Sequence, residues 1–377
     1  SGGTFTLAVN GADYLMLYDG TNWYTVTDVS TPYAITGVDT SSLNDVILHK
    51  RRVWFAEQNT LNGWYLDTDA ISGTAHKFDF GPLFSQGGSI AKLTTWTLDA
   101  GQGADDYYVA VTNMGEVIVY NGTDPSDATK WALKGVWQIG QTFSRRCFFK
   151  WSGDLLLLTQ DGLLPLASAL QSSRLDPRVA LTDKIYYAVS QAADSYSTNF
   201  GWQINYYAKQ NMLILNIPVT EGSEQYVMHT ITKSWARFTA IEAKCWEIHN
   251  EDMYFGATGF VGKFWDDNSD AGANINASVE QAYNYFDARG TQKRFTMVRP
   301  TLLTDNGVPA IQCAVNVDFQ TANETGTLSF NPASLSVAKW DVAVWDQNNW
   351  GGKDNLGLDL VGGVYFYRYS VEDNLDK

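Results

Sequence analysis

The 377-residue chain is poor in charge, cysteine and histidine. Charged residues make up 18%, against the usual ~25%. The three cysteines, Cys147, Cys245 and Cys313, lie far apart, which excludes a disulfide framework and a CxxC zinc site. Their spacing predicts a reducing compartment, with buried thiols acting as small hydrophobes. No apolar run approaches the ~20 residues of a membrane helix, so no membrane anchor is expected. The four histidines, His49, His76, His229 and His249, show no i, i+4 metal spacing, and each reads as a surface or turn residue. There is no GxSxG elbow, HExxH or GxxxxGK[ST]. The expectation is no enzyme, no catalytic or metal-ligating residues and no cofactor.

What is present is aromatic and acidic. Trp, Tyr and Phe reach 14%, giving abundant area to bury and excluding disorder. The net charge of −15 disfavours tight nucleic-acid binding, which needs clustered Lys and Arg, and adhesion to anionic membranes. The opening Ser1-Gly2-Gly3-Thr4 is neither a signal peptide nor a start methionine, so a processed chain or one with further preceding residues is expected.

Strand-like pairs recur, broken by Gly, Asn or Asp. They are Phe5–Val9 with Tyr14–Tyr18, Arg52–Ala56 with Trp64–Leu66, and Tyr107–Thr112 with Val117–Tyr120. Leu155–Thr159 with Leu163–Leu166, Trp202–Tyr207 with Met212–Ile217, and Met253–Phe255 with Val261–Trp265 follow. Asn and Gly supply the left-handed residues that tight hairpins require. The turn centres, near 11, 60, 115, 162, 210 and 259, are about 47–55 residues apart, the blade period of a β-propeller. The predicted fold is all-β, a propeller of about 50-residue blades over residues 1–275. A C-terminal β-rich region follows over 276–377, either a sandwich or ring-closing strands, with Ile311–Phe319, Trp340–Trp345 and Tyr365–Val371 as its strands. A polar turn followed by Trp recurs at Trp23, Trp131 and Trp235. These rings are expected between blades, with a sugar-stacking platform as the alternative. One helical insertion is predicted over Thr182–Tyr196, with Thr182 as N-cap and Ile185, Val189, Ala192 and Tyr196 on one face.

Two acidic stretches are weighed for chemistry. Asp266–Gly272 has alternating oxygen ligands, but its glycine is one place late and Ala277 stands where a bidentate Glu is needed, so it reads as a turn. Asp99, Asp105 and Asp106 are candidates for a glycosidase pair, though acids are also common in turns. Basic clusters, Lys50-Arg51-Arg52, Arg145-Arg146 and Lys293-Arg294 with nearby Arg299, stand beside strand starts. They predict either interface contacts and salt bridges to acidic neighbours or charge protection of edge strands.

Particular segments carry a resemblance. Ala8-Val9-Asn10-Gly11 with Tyr18–Thr21, His49–Phe55, Gly63–Leu66 and Thr94–Asp99 resemble a family of tailed-bacteriophage and prophage virion proteins. So do Tyr120–Pro125, Arg145-Arg146-Cys147 and Asp161–Leu166, and most specifically Arg289–Pro300. The family is similar to the tail-nozzle, or packaged-DNA stabilisation, proteins of short-tailed phages. The resemblance implies a structural virion protein in the tail, assembled in the host bacterial cytoplasm. It implies a homo-oligomeric ring, typically hexameric, contacting adaptor, portal and other tail proteins. Double-stranded DNA would pass through without sequence-specific binding, retained until ejection. An acidic wall suits that role because it repels the phosphate backbone. Arg51, Arg52, Arg145, Arg146, Lys293, Arg294 and Arg299 are expected at subunit or adaptor interfaces. The alternative function is a carbohydrate-binding propeller, either a receptor-binding lectin or a polysaccharide hydrolase.

Overall fold

The computed structural model describes residues 3–99, 104–151, 153–169 and 179–266. Beyond these it describes 269, 272–273, 275, 277–280, 283–287, 290–291, 301–303, 311–313, 316, 325–328 and 364–366. The chain divides into two compact units, Ser1–Ala273 and Asn274–Lys377.

In the first unit, β1 (Thr6–Ala8), β2 (Leu15–Tyr18) and β3 (Trp23–Val26) form an antiparallel meander. A short parallel pair joins β4 (Ile35–Thr36) to β8 (Gly73–Thr74). The second sheet comprises β5 (Leu43–His49), β6 (Arg52–Glu57), β7 (Asn62–Tyr65) and β9 (His76–Asp79). The third comprises β10 (Ile90–Asp99), β11 (Ala104–Thr112), β12 (Glu116–Gly122) and β13 (Trp131–Gln138). The fourth is β14 (Phe148–Trp151), β15 (Asp154–Thr159) and β16 (Gly162–Pro165), followed by helices α1 (Leu166–Ala169) and α2 (Tyr186–Tyr196). The fifth is β17 (Gln203–Tyr207), β18 (Met212–Pro218), β19 (Ser223–His229) and β20 (Trp235–Phe238). The sixth is β21 (Cys245–His249), β22 (Asp252–Ala257) and β23 (Phe260–Lys263).

Side-chain alternation explains how these sheets stack. In β6, Val53 and Phe55 face Leu15, Leu17 and Val26 of the first sheet. Trp54 and Ala56 point the other way, toward Tyr108, Ile118 and Trp131 of the third. In β12, Ile118 and Tyr120 join that same core, while Val117 and Val119 face Leu155, Leu157 and Leu164 of the fourth sheet. Leu156 and Leu158 of β15 turn toward Leu213 and Leu215 of the fifth. Tyr207, Ile214 and Val227 meet Trp246 and Met253 of the sixth. Strands covered on both faces need no polar alternation, hence the unbroken run Leu155–Leu158. First strands also lie against one another, β10 against β5 and β17 against both β14 and β21, which places them innermost. Successive meanders, each sharing a core with the next, are the blades of a β-propeller.

Each predicted hairpin sits within one blade, but not at the same place in it. The pairs at residues 5–18 and 202–217 join the first and second strands, whereas the other four join the second and third. First strands begin at 6, 43, 90, 148, 203 and 245, so the true intervals run from 37 to 58 residues. The regular turn spacing mixed two kinds of turn. Tight two-residue turns also form here without glycine. Lys50-Arg51 and Asn250-Glu251 are both left-handed at each residue (φ 43° and 68°; 49° and 66°), the geometry of a type I′ turn. Gly115 shows why glycine is needed elsewhere: at φ 84° an added Cβ would lie 2.3 Å from the Ile139 carbonyl oxygen.

The helix forms where expected, and Val189 and Ala192 are buried in the core between the fourth and fifth blades. Its start differs from expectation. Thr182 makes no capping bond, and a 3-10 turn over Asp183–Ile185 precedes the helix. The Thr182 hydroxyl instead accepts from the Leu163 N–H at 3.1 Å, tying the insertion to β16. Leu166 begins α1 rather than ending a strand. Among the described residues, no helix is long and apolar enough to cross a membrane.

In the second unit, Thr301–Leu303 pairs with Val364–Phe366, and Ile311–Cys313 with Thr325–Leu328. The expected strand Trp340–Trp345 lies outside the described residues.

Candidate functional site

The basic clusters divide among several environments. Lys50-Arg51 is the β5–β6 turn; Arg51 is exposed and paired with Asp69, whose carboxyl it holds below the usual range. Arg52 is different, with a side chain only 12% exposed. It reaches across to the third blade, donating to the Thr123 carbonyl (3.2 Å) and to Asp124 (3.3 Å). Within its own blade it donates to the Leu66 carbonyl (3.3 Å), and it lies 5.7 Å from the centre of the Tyr65 ring. Its charge is therefore engaged within the chain. Arg145 is exposed. Arg146 donates to Gln203 Oε1 (3.3 Å) and stacks 4.6 Å from the Phe200 ring centre. Lys293, Arg294 and Arg299 lie outside the described residues.

Arg52→Ala removes both a charge-assisted tie and a packed aliphatic stem between blades, and is expected to cost about 2 kcal/mol. Arg51→Ala is expected to leave the chemical-denaturation midpoint unchanged, because exposed ion pairs contribute little. Equal effects of the two substitutions would contradict this division.

Other blade seams carry buried polar ties. Asp45 on β5 accepts from Lys92 Nζ and the Leu93 N–H of β10, both at 2.7 Å. The buried Glu116 carboxylate accepts from the Ser85 N–H and hydroxyl and from the Gln86 N–H. Between the fifth and sixth blades, Asn216 is a hub. Its amide donates to the Gly201 (2.8 Å) and Ala243 (3.0 Å) carbonyls and accepts from Gln225 Nε2 (2.9 Å) and Trp246 Nε1 (2.8 Å). Gln203 pairs with the Trp246 main chain in both directions, linking two inner strands that share no ladder.

Beside this hub is an open cleft of about 530 Å³, lined by residues 198–200, 218–219, 222, 242–244 and 258. Phe200 is 76% exposed there. The side chains of Thr198, Asn199, Glu242, Lys244 and Thr258 all line it. Nothing in the sequence pattern marked this cleft, because its residues come from four separate loops.

The acids considered for catalysis are placed singly. Asp106 accepts from the Thr97 hydroxyl at 2.6 Å; the side chains of Asp99 and Asp105 lie outside the described residues. Asp266 pairs with Lys263 at 2.7 Å, and Asp267, Asn268 and Asp270 lie outside the described residues. Among the described residues no group of His, Cys, Asp and Glu could hold a metal.

Some of these side chains sit as expected and others do not. Trp131 is buried between the second and third blades, and Trp64 and Trp235 are partly buried. Trp23, however, is 55% exposed on the edge strand β3, where it packs at a tilt against the Tyr18 ring (5.1 Å, 30°). His49 is buried, not superficial: its position at the end of β5 turns it into the aromatic core. Cys147 is buried and burial pushes its thiol up to about 12, whereas Cys245 is exposed.

No family model and no curated protein matches the chain. Solved structures similar to it include the AfRom2 CNH domain (8% identity, TM-score 0.38, covering 66% of this chain and 74% of that one). A candidate 6-phosphogluconolactonase from Bacteroides fragilis matches at 11% identity and TM-score 0.39, covering 69% and 80%. The β-propeller domain of Myceliophteria thermophila Cps50 (Swd1) matches at 10% identity and TM-score 0.31, covering 56% and 61%. With TM-scores below 0.5, none of them bears on activity or partners. The blade assignment stands on sheet topology and the shared cores.

Proposed function

We propose that this chain is a structural virion protein of a tailed phage, a tail-nozzle or head-to-tail connector subunit that forms a ring around the DNA channel and is not an enzyme. The observation that carries the reading is where the resembling segments fall. Arg52 ties the second blade to the Tyr120–Pro125 segment of the third. Cys147 lies in the core between the fourth and fifth blades, and Leu163, Leu164 and Leu166 are buried. These residues hold blades together rather than converging on a reaction centre, as a load-resisting ring subunit requires. The net charge of −15 suits a wall along which DNA slides, since phosphates find few cations to release. Ring closure calls for heterologous head-to-tail surfaces, and exposed Arg145 with Lys293, Arg294 and Arg299 is the proposed contribution to them.

Native mass spectrometry and electron microscopy of the purified protein test the reading. A closed ring, hexameric by the resemblance, and antibody labelling at the tail of purified particles are expected. A chain that stays monomeric at high concentration and is missing from purified particles would overturn it.

A further inference from the structure

The cleft between the fifth and sixth blades has the chemistry of a ligand site, and we infer that it binds a saccharide of one or two pyranose rings. Its volume, about 530 Å³, falls within the ~300–1,000 Å³ typical of small-ligand sites. Five polar side chains line it, Thr198, Asn199, Glu242, Lys244 and Thr258. They offer hydroxyls, an amide, a carboxylate and an ammonium, a mixed donor and acceptor set that suits vicinal hydroxyls.

The one large ring lining the cleft is Phe200. Arg146 stacks on it at 4.6 Å and is itself fixed by Gln203 Oε1. Phe200 thus has the Arg146 guanidinium packed against its ring while remaining 76% exposed. A held aromatic face beside hydrogen-bonding groups matches a pyranose, which has an apolar C–H face and a polar rim. The cleft floor is stiff as well. Ala243, which lines it, gives its carbonyl to the Asn216 hub. Gly222, left-handed at φ 92°, has the Glu242 Cγ 3.2 Å from where a Cβ would stand, so the Glu242 stem packs against bare backbone.

Other small ligands fit less well. A phosphate would meet one ammonium, Lys244, and face the Glu242 carboxylate. An extended peptide needs a free strand edge, but Pro218–Gly222 is a closed turn in which the Val219 N–H donates to the Gly222 carbonyl at 3.2 Å. The site is independent of the ring proposal: a tail subunit with it would touch a host glycan, and a propeller that forms no ring would still bind sugar.

The test is saturation-transfer NMR on the full chain with glucose, galactose, rhamnose, N-acetylglucosamine and glucuronate, and inorganic phosphate as a comparison. At least one sugar is expected to bind. Phe200→Ala and, separately, Glu242→Gln should each weaken it roughly tenfold or more, through lost stacking and a lost charged hydrogen bond. Glu242→Gln is exposed and isosteric, so an unchanged unfolding midpoint should accompany its effect. Binding by none of the sugars, binding by phosphate alone, or sugar binding undiminished in both variants would overturn the assignment.

Discussion

Asn216→Ala is expected to destabilise the protein by about 4 kcal/mol, since it strands several buried groups at once. The side chain is fully buried and all four of its hydrogen-bonding capacities are used. Removing it leaves the Trp246 indole N–H and the Gly201 carbonyl without their side-chain partner. Gln225 retains its Ser223 and Ile241 contacts and so loses less. Each stranded group costs about 1–3 kcal/mol, and the costs are not additive because the site relaxes. Asn216→Asp should be no remedy, because it substitutes a buried charge for the two N–H donors. Denaturant titration of Asn216→Ala, Gln225→Ala and the double variant checks the account. The two changes should be less than additive, as expected for residues sharing one network. A loss below about 1 kcal/mol for Asn216→Ala, or strict additivity, would show that the hub does not hold the two blades together.

The blades were legible from sequence because both-face burial writes uninterrupted apolar runs such as Leu155–Leu158, and because Gly115 and Asn211 mark turns that need left-handed backbone. The blade phase was not. Lys50-Arg51 makes a tight turn with neither glycine nor asparagine, and Asn250-Glu251 with a single asparagine, so the hairpins they close left little turn signal, and the visible turns fell at two places in the blade. The helical insertion was legible from the spacing of Val189 and Ala192, but the partner of Thr182 was not, since the Leu163 N–H is nineteen residues away in sequence. Arg52 and Arg51 are neighbours of the same type, yet one is an inter-blade tie and the other a surface ion pair. Only the alternation of a strand against its turn separates them. The hub joins strands of two blades and the cleft beside it draws on four loops, and no local pattern announces such a meeting.

His49 should make the protein lose stability as the pH falls from about 6.5 to about 4. Its ring is 2% exposed, edge-on to Tyr108 (5.6 Å, 74°) and Trp131 (5.9 Å, 77°). Neither ring nitrogen makes a hydrogen bond to a described residue. Burial depresses its pKa from 6.5 to about 4, with repulsion from Lys50 and Lys150 adding to the shift. The Gly122 carbonyl and Asp106 oppose it, the carbonyl from outside good hydrogen-bond geometry. The sign follows from the proton count. Below pH 6.5 the unfolded chain takes up a proton that the folded chain refuses, so folding becomes less favourable as pH drops. Below about 4 both states are protonated and the effect levels off. The full shift corresponds to ~3 kcal/mol. The depressed carboxylates, among them Asp19, Asp39 and Asp69, act in the same direction but below their ordinary 3.8, while Asp154, whose carboxyl burial raises, acts in the opposite direction, so the interval from pH 6.5 to 5 is read against a variant that lacks the imidazole. His49→Phe keeps an aromatic ring in the core and removes the titration. Its stability should stay level over that interval while that of the unsubstituted protein falls by about 2 kcal/mol. Parallel curves for the two proteins would show that the ring finds a partner for its proton in the folded state, and that the core between the second and third blades is wetter than its packing implies.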